Sequence, residues 1–388
     1  MLSCRYEYFP INIQKHQHYD GAFAYMWIYA PLLKTMWQIL RNYVIINYSS
    51  VLKKNTMLRT IIPHKAVLVC VMLIAAACGA EQETLILRLA HGLDSNHPVH
   101  RGMERMSELV EEKSEGTMRI VIYPNEQLGT ERETMELLQI GSLDITKVSA
   151  AIMESFIPVY SIFSVPFLFY DAEHMKEVLD GPIGLRILEA AEPFRVRGLC
   201  YYDAGSRSFY TNNRPIKTPE DLRGMSIRVM ESATAIRMVN TLGGSATPIS
   251  FGELYTALQQ GVVSGAENNP PSFFLSRHYE VSEYYSISEH SSVPDVLLIS
   301  THTWDNVLDD QQRQIVSEAA LESVPYQRKL WAESTERSLR AVKEAGVEVI
   351  YPDRQLFMDA SQEYYDFIAV RQPEIYALFR EIRDVGSR

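Results

Sequence analysis

Cysteine is scarce in this sequence, with four residues in a chain of 388. Cys4 lies close to the start, Cys70 and Cys78 lie in an apolar N-terminal stretch, and only Cys200 lies well inside the body of the chain. A framework of structural disulfides is therefore excluded, because a single cysteine cannot pair within the body. Cys200 belongs to the apolar run 198–202, which predicts a buried and unreactive thiol.

Positive charge is also in short supply, since 37 Lys and Arg residues stand against 48 Asp and Glu residues and give a net charge of −11. No basic run occurs anywhere along the chain. Binding to a polyanion requires a basic face. Nucleic acid is therefore excluded as an expected partner.

The sequence lacks the motifs of common catalytic and cofactor sites. No phosphate-binding glycine loop, dinucleotide fingerprint, nucleophile elbow or zinc-protease helix follows a predicted strand. His91, His97 and His100 are close in sequence, but their spacing matches no metal-binding pattern, so we interpret them as scattered loop and surface histidines. No cofactor and no metal site are expected.

Residues 57–80 have the anatomy of a secretory signal. A basic start precedes an apolar run at 66–77 with small residues at its end, which predicts export of the chain. The same stretch contains a lipoprotein-type box in which Cys78 would become the lipidated N-terminus. Ordinary cleavage after Ala77 or Ala80 is the alternative.

Residues 1–56 are rich in tyrosine and irregular. A secretory signal behind them would not be read as an N-terminal address, so we interpret this segment as a mis-assigned extension and Met57 as the true start. The alternative is a membrane helix at 22–46. Lys34 and Arg41 interrupt it, whereas a membrane span normally needs 18 or more apolar residues in a row.

From residue 84 onward, strand-like and helix-like segments alternate, and the 46% hydrophobic composition is sufficient for two domain cores. This alternation predicts an α/β fold with mixed, mostly parallel sheets and helices on both faces. The predicted strands are 85–90, 118–123, 143–147, 198–202, 226–230, 246–249 and 296–300. The predicted helices are 99–113, 131–139, 218–224, 233–242 and 250–260, the last opening with a capping box at Ser250 and Glu253.

One helical pattern is much longer than the others. Residues 309–345 have apolar side chains at helical spacing, and a helix of about 35 residues would be about 50 Å long, enough to cross two small domains. Pro325 is expected to kink or break it. The body contains no Gly/Ser linker, so the two domains are expected to be joined by several short crossings.

Arg228 and Arg207 are the strongest candidates for binding residues. Arg228 lies in the middle of an apolar strand, where a charged side chain must either reach solvent or face a cleft and meet an anion. The planar guanidinium suits a carboxylate, because it donates two parallel hydrogen bonds. Asn268 and Asn269 end a short strand before two prolines that should block any helix; they could bind hydroxyl groups or simply form a turn.

Several motifs occur in the order found in one transporter family. They are Gln127-Leu-Gly129, Pro166-Phe-Leu-Phe169, Gly205-Ser-Arg207, Leu222-Arg-Gly-Met-Ser-Ile-Arg228, the string from Pro248-Ile-Ser-Phe-Gly252 to Val263, and Gly265-Ala-Glu-Asn-Asn-Pro270. From about residue 85 to the C-terminus, the chain resembles the solute-binding proteins of TRAP transporters, the DctP family. Ser264 departs from the family pattern, which usually has an aspartate at that place.

The resemblance implies two α/β domains with a ligand cleft between them, several hinge crossings and a long helix that spans both domains. It divides the body into a first domain of residues 84–205 plus 294–333 and a second of residues 206–293 plus 334–388. It also implies delivery of the ligand to the small and large membrane subunits of a TRAP system, in the periplasm.

The resemblance also implies the ligand site. Arg228 would clamp the ligand carboxylate, with Arg207 as a second positive group. The other implied ligand-binding residues are Asn268, Glu131, Ser149, His290 and Glu267.

The pattern Gly205-Ser-Arg-Ser-Phe-Tyr210, with Glu267-Asn-Asn269, is similar to the branch of the family associated with hexuronates and related sugar acids. A dicarboxylate or keto acid is the alternative ligand, because Arg207 could supply a second cationic contact. Two alternatives of another class are a sugar-acid lyase or isomerase, with Glu267 or His290 as its base, and a ligand-sensing module.

Overall fold

The computed structural model describes residues 84–386. The predicted signal at 57–80, with Cys78, and the predicted extension at 1–56 lie outside these residues, so both stay predictions. Among the helices that the model does describe, none is long and apolar enough to cross a membrane.

Eleven strands form two sheets in the described part of the chain. They are β1 (Leu85–Ala90), β2 (Met118–Tyr123), β3 (Ile145–Ser149), β4 (Val196–Tyr202), β5 (Ser206–Thr211), β6 (Ser226–Val229), β7 (Ser245–Pro248), β8 (Gly265–Asn268), β9 (Tyr284–Ser292), β10 (Asp295–Ser300) and β11 (Glu348–Ile350). The first sheet has the order β2-β1-β3-β10-β4, and the second has the order β11-β9-β5-β8-β6-β7.

The helices fall between and after these strands. They are α1 (Pro98–Lys113), α2 (Glu131–Gln139), α3 (Ala150–Met153), α4 (Ala172–Asp180), α5 (Pro182–Glu189), α6 (Ala233–Thr241), α7 (Leu254–Gln259), α8 (Pro270–Leu275), α9 (Asp310–Glu344), α10 (Arg354–Ala360), α11 (Gln362–Arg371) and α12 (Pro373–Arg383). Short 3₁₀ turns occur at Pro158–Ser164, Glu192–Phe194, Pro219–Leu222 and His278–Val281, and a π-helical turn occurs at Thr303–Val307.

Both sheets are mixed. Parallel pairing joins β1 to β2 and β3, β6 to β7 and β8, and β9 to β11. Antiparallel pairing joins β10 to β3 and β4, and β5 to β8 and β9. The predicted α/β fold with mixed sheets and helices on both faces is confirmed.

The apolar run of β10 explains how the first sheet is covered. Val296 and Leu298 pack into one hydrophobic core, whereas Leu297 and Ile299 pack into another on the opposite face. Successive side chains of a strand point to opposite faces, so a strand that is apolar throughout must be buried on both sides.

Helix α9 is continuous over its 35 residues, and its N-cap is a capping box formed by Asp309 and Gln312. Ile315 packs with the first sheet and Val342 with the second, so the predicted helix that spans both is confirmed. Pro325 was expected to kink or break this helix, and it does not break it. The proline ring removes one backbone hydrogen bond, but packing on both sides of it holds the helical path.

Two local predictions about helix starts were wrong. Pro270 and Pro271 do not block a helix but begin α8, because a first-turn N–H has no partner within a helix and its loss costs little. The Asn269 side chain caps this helix by accepting a hydrogen bond from the Ser272 N–H. No capping box forms at Ser250, whose hydroxyl instead donates to the Glu253 carboxylate at 2.9 Å, and α7 begins only at Leu254.

The predicted division into two domains stays a prediction, and the C-terminal helices share a hydrophobic core with the first sheet. Tyr364 and Ile368 of α11 and Ile382 of α12 belong to the same core as Val296 of the first sheet. Tyr160 of the turn Pro158–Ser164 and Met175 of α4 are buried in this core as well.

Candidate functional site

A cavity of about 70 Å³ lies between the two sheets and is lined by residues of both. The first sheet contributes Lys147 and Ser149 from the end of β3 and Asp295 from the start of β10. Strands of the second sheet contribute Arg207, Arg228 and Asn268. The other lining residues are Gly92, Leu93, His97, Glu126, Thr130, Glu131, Arg132, Ile152, Ala204, Met230, Glu231, Ile249, Ser250, Phe251, Asn269, Ser272 and Val293.

Arg228 is a buried cation without an anionic partner. Its residue is 2% exposed, its Nε donates to the carbonyl oxygen of Ile249 at 2.8 Å, and its buried Nη1 has no hydrogen-bond partner. Burial lowers the pKa of the guanidinium, and the neighbouring charge of Arg207 adds to this effect. An arginine remains ionised all the same, so this position presents an uncompensated positive charge to the cavity.

Arg207, by contrast, is fully neutralised. Its Nε and Nη2 donate to the two carboxylate oxygens of Glu267, the latter at 2.8 Å, and Nη1 donates to Asn268 Oδ1 at 2.9 Å. Burial alone would raise the pKa of Glu267, but Arg207 and His290 together hold it down at about 2. The role of Arg207 as a second positive group at the site stays a prediction, although Glu267 and Asn268 already engage its charge and its donors.

Glu267 and His290 lie behind Arg207 and not on the cavity wall. His290 is fully buried in β9, where its ring stacks on Phe209 with centroids 4.1 Å apart. Its Nδ1 is 2.9 Å from the Ser288 hydroxyl, and its Nε2 lies 3.7 Å from a Glu267 oxygen. Burial lowers the pKa of this imidazole, although Glu267 opposes the shift. Both residues can position Arg207, but neither meets the cavity.

A second charged cluster lies on the wall formed by the first sheet. Lys147 is 2% exposed, and its Nζ donates to Glu131 Oε1 at 2.5 Å and to Asp295 Oδ1 at 3.2 Å. The Ser149 N–H donates to the other Glu131 oxygen at 3.0 Å. Burial raises the pKa of Asp295, and Lys147 opposes that shift. One ammonium thus holds two carboxylates.

Three contacts cross the cavity from one wall to the other. Glu126, in the loop after β2, accepts a hydrogen bond from the Gly252 N–H at 3.2 Å. The Ser149 hydroxyl contacts the Met230 sulfur at 3.3 Å, and a ring nitrogen of His97 lies 3.3 Å from the Ser272 hydroxyl. Such contacts exist only while the two walls stay close together.

The three early histidines are not scattered surface groups, so that interpretation was wrong. All three are buried, with His91 Nε2 at 2.9 Å from His100 Nδ1. Burial lowers the pKa of His91 to about 2 and that of His97 to about 3, so both rings are neutral. Among residues 84–386, no group of histidines, cysteines or carboxylates has the arrangement of a metal site.

The structure brings most of the predicted site residues to one cavity: Arg228, Arg207, Asn268, Glu131 and Ser149 all line it. Sequence reasoning missed Lys147, Asp295 and Glu126. Lys147 ends the strand-like run Leu143-Asp-Ile-Thr-Lys147, and a lysine at the end of a buried strand was a usable signal for a partner carboxylate. The buried thiol of Cys200 matches its prediction, and burial raises its pKa to about 12.

Two mixed sheets around a polar cavity with one uncompensated cation are the architecture of a protein that binds a small anion. Residues 89–372 match the family model of the bacterial extracellular solute-binding proteins, family 7, DctP. The chain belongs to this family. It is 41% identical over 305 residues to the uncharacterized protein YiiZ of Salmonella typhimurium, covering 77% of this chain and 91% of that one.

Solved structures give the same result. A TRAP periplasmic solute-binding protein from Xanthobacter autotrophicus, with bound β-D-galacturonate, is 38% identical with a TM-score of 0.74, over 76% of this chain and 99% of that one. Another from Chromohalobacter salexigens, with bound D-glucuronate, is 33% identical with a TM-score of 0.75, over 77% of this chain and 99% of that one. Members of this class bind solutes and are not enzymes.

Proposed function

We propose that this protein captures a hexuronate or closely related sugar acid in the cavity between its sheets. The observation that carries this proposal is Arg228, a buried cation that faces the cavity with an unpartnered Nη1. A ligand carboxylate would supply the missing negative charge and the missing acceptor. The galacturonate and glucuronate bound in the two related structures support the same ligand class.

The remaining groups on the cavity wall suit the hydroxyls of a sugar. Asn268, Asn269 and Ser272 line the wall beside Arg228, and Glu131 and Asp295 line the opposite wall. A hexuronate combines one carboxylate with several hydroxyls, and it therefore needs one cationic clamp and several neutral or anionic hydrogen-bonding groups. A dicarboxylate or keto acid is less well matched, because Arg207 is already paired with Glu267.

Binding would proceed by closure of the cleft. The ligand carboxylate pairs with Arg228 on the wall formed by the second sheet, and the ligand hydroxyls reach the wall formed by the first sheet. The closed form therefore gains contacts that the open form cannot make. Glu126 and Gly252 meet across the cavity only in that closed form. The division into two moving domains, 84–205 plus 294–333 and 206–293 plus 334–388, is part of this proposal.

The closed protein would then deliver the ligand to the small and large membrane subunits of a TRAP transporter. The proposed setting is the periplasm, reached through the signal at 57–80, either free or anchored by a lipid on Cys78. Mass spectrometry of the exported protein distinguishes the two, because lipidation of Cys78 adds acyl chains to the N-terminus. Uptake of the ligand into cells that express the membrane subunits, with and without this protein, tests the partnership.

Titration calorimetry with D-galacturonate, D-glucuronate, D-galactose, succinate and pyruvate tests the ligand class. We expect micromolar or tighter affinity for at least one hexuronate and none for galactose, which has the hydroxyls but not the carboxylate. Tighter binding of succinate or pyruvate than of either hexuronate would contradict the proposal. Chemical conversion of a hexuronate by the purified protein would favour the lyase or isomerase alternative.

A further inference from the structure

The charged cluster of Lys147, Glu131 and Asp295, on the cavity wall formed by the first sheet, carries more negative than positive charge. Lys147 bonds both Glu131 and Asp295, so the three ionised groups sum to one unit of negative charge. Both oxygens of Glu131 already accept hydrogen bonds, from Lys147 and from the Ser149 N–H. Asp295 Oδ1 accepts from Lys147, whereas its Oδ2 receives no hydrogen bond from any residue in the part of the chain that the structure describes. This oxygen is an open acceptor on the cavity wall.

The other cations on the cavity wall do not offset this excess. Arg207 is matched by Glu267, and Arg132 is paired with a glutamate on its own helix. Lys147 already serves two carboxylates. Among the lining residues in 84–386, Arg228 is therefore the single cation left for a ligand anion, and the wall opposite it repels a second one.

We propose that Asp295, together with Glu131 and held in place by Lys147, makes this site select polyhydroxylated monocarboxylates over dicarboxylates. The proposal rests on the hexuronate function proposed above and adds its specificity determinant. A ligand hydroxyl donates to Asp295 Oδ2, which satisfies both groups. A second carboxylate at the same place has no proton to donate and meets like charge, so its desolvation is not compensated.

A matched pair of open-chain ligands tests this selection by calorimetry. D-galactonate and D-galactarate share their carbon skeleton and hydroxyl stereochemistry, but galactarate has a second carboxylate where galactonate has a CH₂OH group. We expect the unmodified protein to bind galactonate at least about tenfold more tightly, which corresponds to about 1.4 kcal/mol. In Asp295→Asn the amide still accepts from Lys147 but the charge is gone, so the preference should shrink about tenfold.

Two further variants make the result decisive. Glu131→Gln removes the other carboxylate of the cluster and should reduce the preference in the same direction, which covers the case that Asp295→Asn does not fold. Asp180→Asn is the control, because Asp180 pairs with Arg328 outside the cavity; its preference should match that of the unmodified protein. If both cavity variants keep the preference for galactonate, the proposed role of the Asp295 cluster in selection is overturned, but the proposed function is not. If the unmodified protein binds no sugar acid at all, the proposed function is overturned as well.

Discussion

Replacing Arg228 by methionine should stabilise the ligand-free protein and abolish tight ligand binding. Replacing Arg207 by methionine should destabilise the ligand-free protein. The two arginines lie on strands of the same sheet, and both are buried. They differ in their partners. Arg207 is paired with Glu267, whereas Arg228 has only the Ile249 carbonyl.

The magnitudes follow from these partners. Arg228→Met loses the hydrogen bond to Ile249, worth about 1.5–3 kcal/mol, but relieves a buried unpaired charge whose penalty is several kcal/mol. We expect a net gain of about 1 kcal/mol in the free energy of unfolding. Arg207→Met leaves the Glu267 carboxylate buried without its cation, which costs about 3–5 kcal/mol. Ligand affinity in Arg228→Met should fall by about 3 kcal/mol, or more than about a hundredfold.

Urea unfolding without ligand and calorimetry with D-galacturonate measure the two effects separately. The comparison of two identical substitutions in one sheet controls for the loss of arginine packing. If Arg228→Met destabilises the ligand-free protein as much as Arg207→Met does, then Arg228 is structural and its assignment as the anion clamp is refuted.

Three other perturbations have definite expected outcomes. Gly252→Val should weaken sugar-acid binding about tenfold with little change in melting temperature, because an added Cβ lies 2.3 Å from Glu126 Oε2 across the cavity. The double variant Gly252→Val with Glu126→Ala should recover part of the affinity. If it recovers none, the contact with Glu126 is not the cause of the weaker binding. Pro325→Ala should raise the free energy of unfolding, measured by urea denaturation, by about 1–3 kcal/mol, since it restores a helix hydrogen bond. An unchanged or lower free energy of unfolding would show that the helix accommodates the proline without cost. Burial lowers the pKa of His91 to about 2 and that of His278 to about 3. In the unfolded chain the pKa of each ring is about 6.5, so the unfolded state takes up protons first as the pH falls. Stability should therefore be complete above about pH 6.5 and decline below it by up to about 1.4 kcal/mol per pH unit for each ring; equal unfolding free energies at pH 7 and pH 5 would contradict this.

The parts of the fold that were predictable are those with local causes. The short helix predicted at 218–224 formed as the 3₁₀ turn Pro219–Leu222, because a proline in its first turn is a local signal for a helix start. The strands β1 and β2 match their predicted bounds, since hydrophobic patterning marks them directly. Arg228 was identified for the same reason: a charge within an apolar strand is a local anomaly.

The parts that were missed depend on residues far apart in the chain. Lys147 and Asp295 are 148 positions apart, and nothing near either residue indicates their pairing. The neutralisation of Arg207 by Glu267 depends on the register between β5 and β8, which places Phe209 opposite Glu267. The burial of His91 likewise follows from tertiary packing, which overrides the polar character of the residue.

The position of β10 also has a consequence for how the chain folds. This strand lies between β3 and β4 in the first sheet, but it follows both in sequence, after all the strands of the second sheet except β11. The first sheet therefore cannot close until residue 300 has been synthesised. Pairing over such sequence separations is slow, because a long loop must be closed before its contacts stabilise it. An N-terminal fragment ending before Asp295 should remain unfolded, and the complete chain should stay unfolded for longer than a protein of equal size with local pairing.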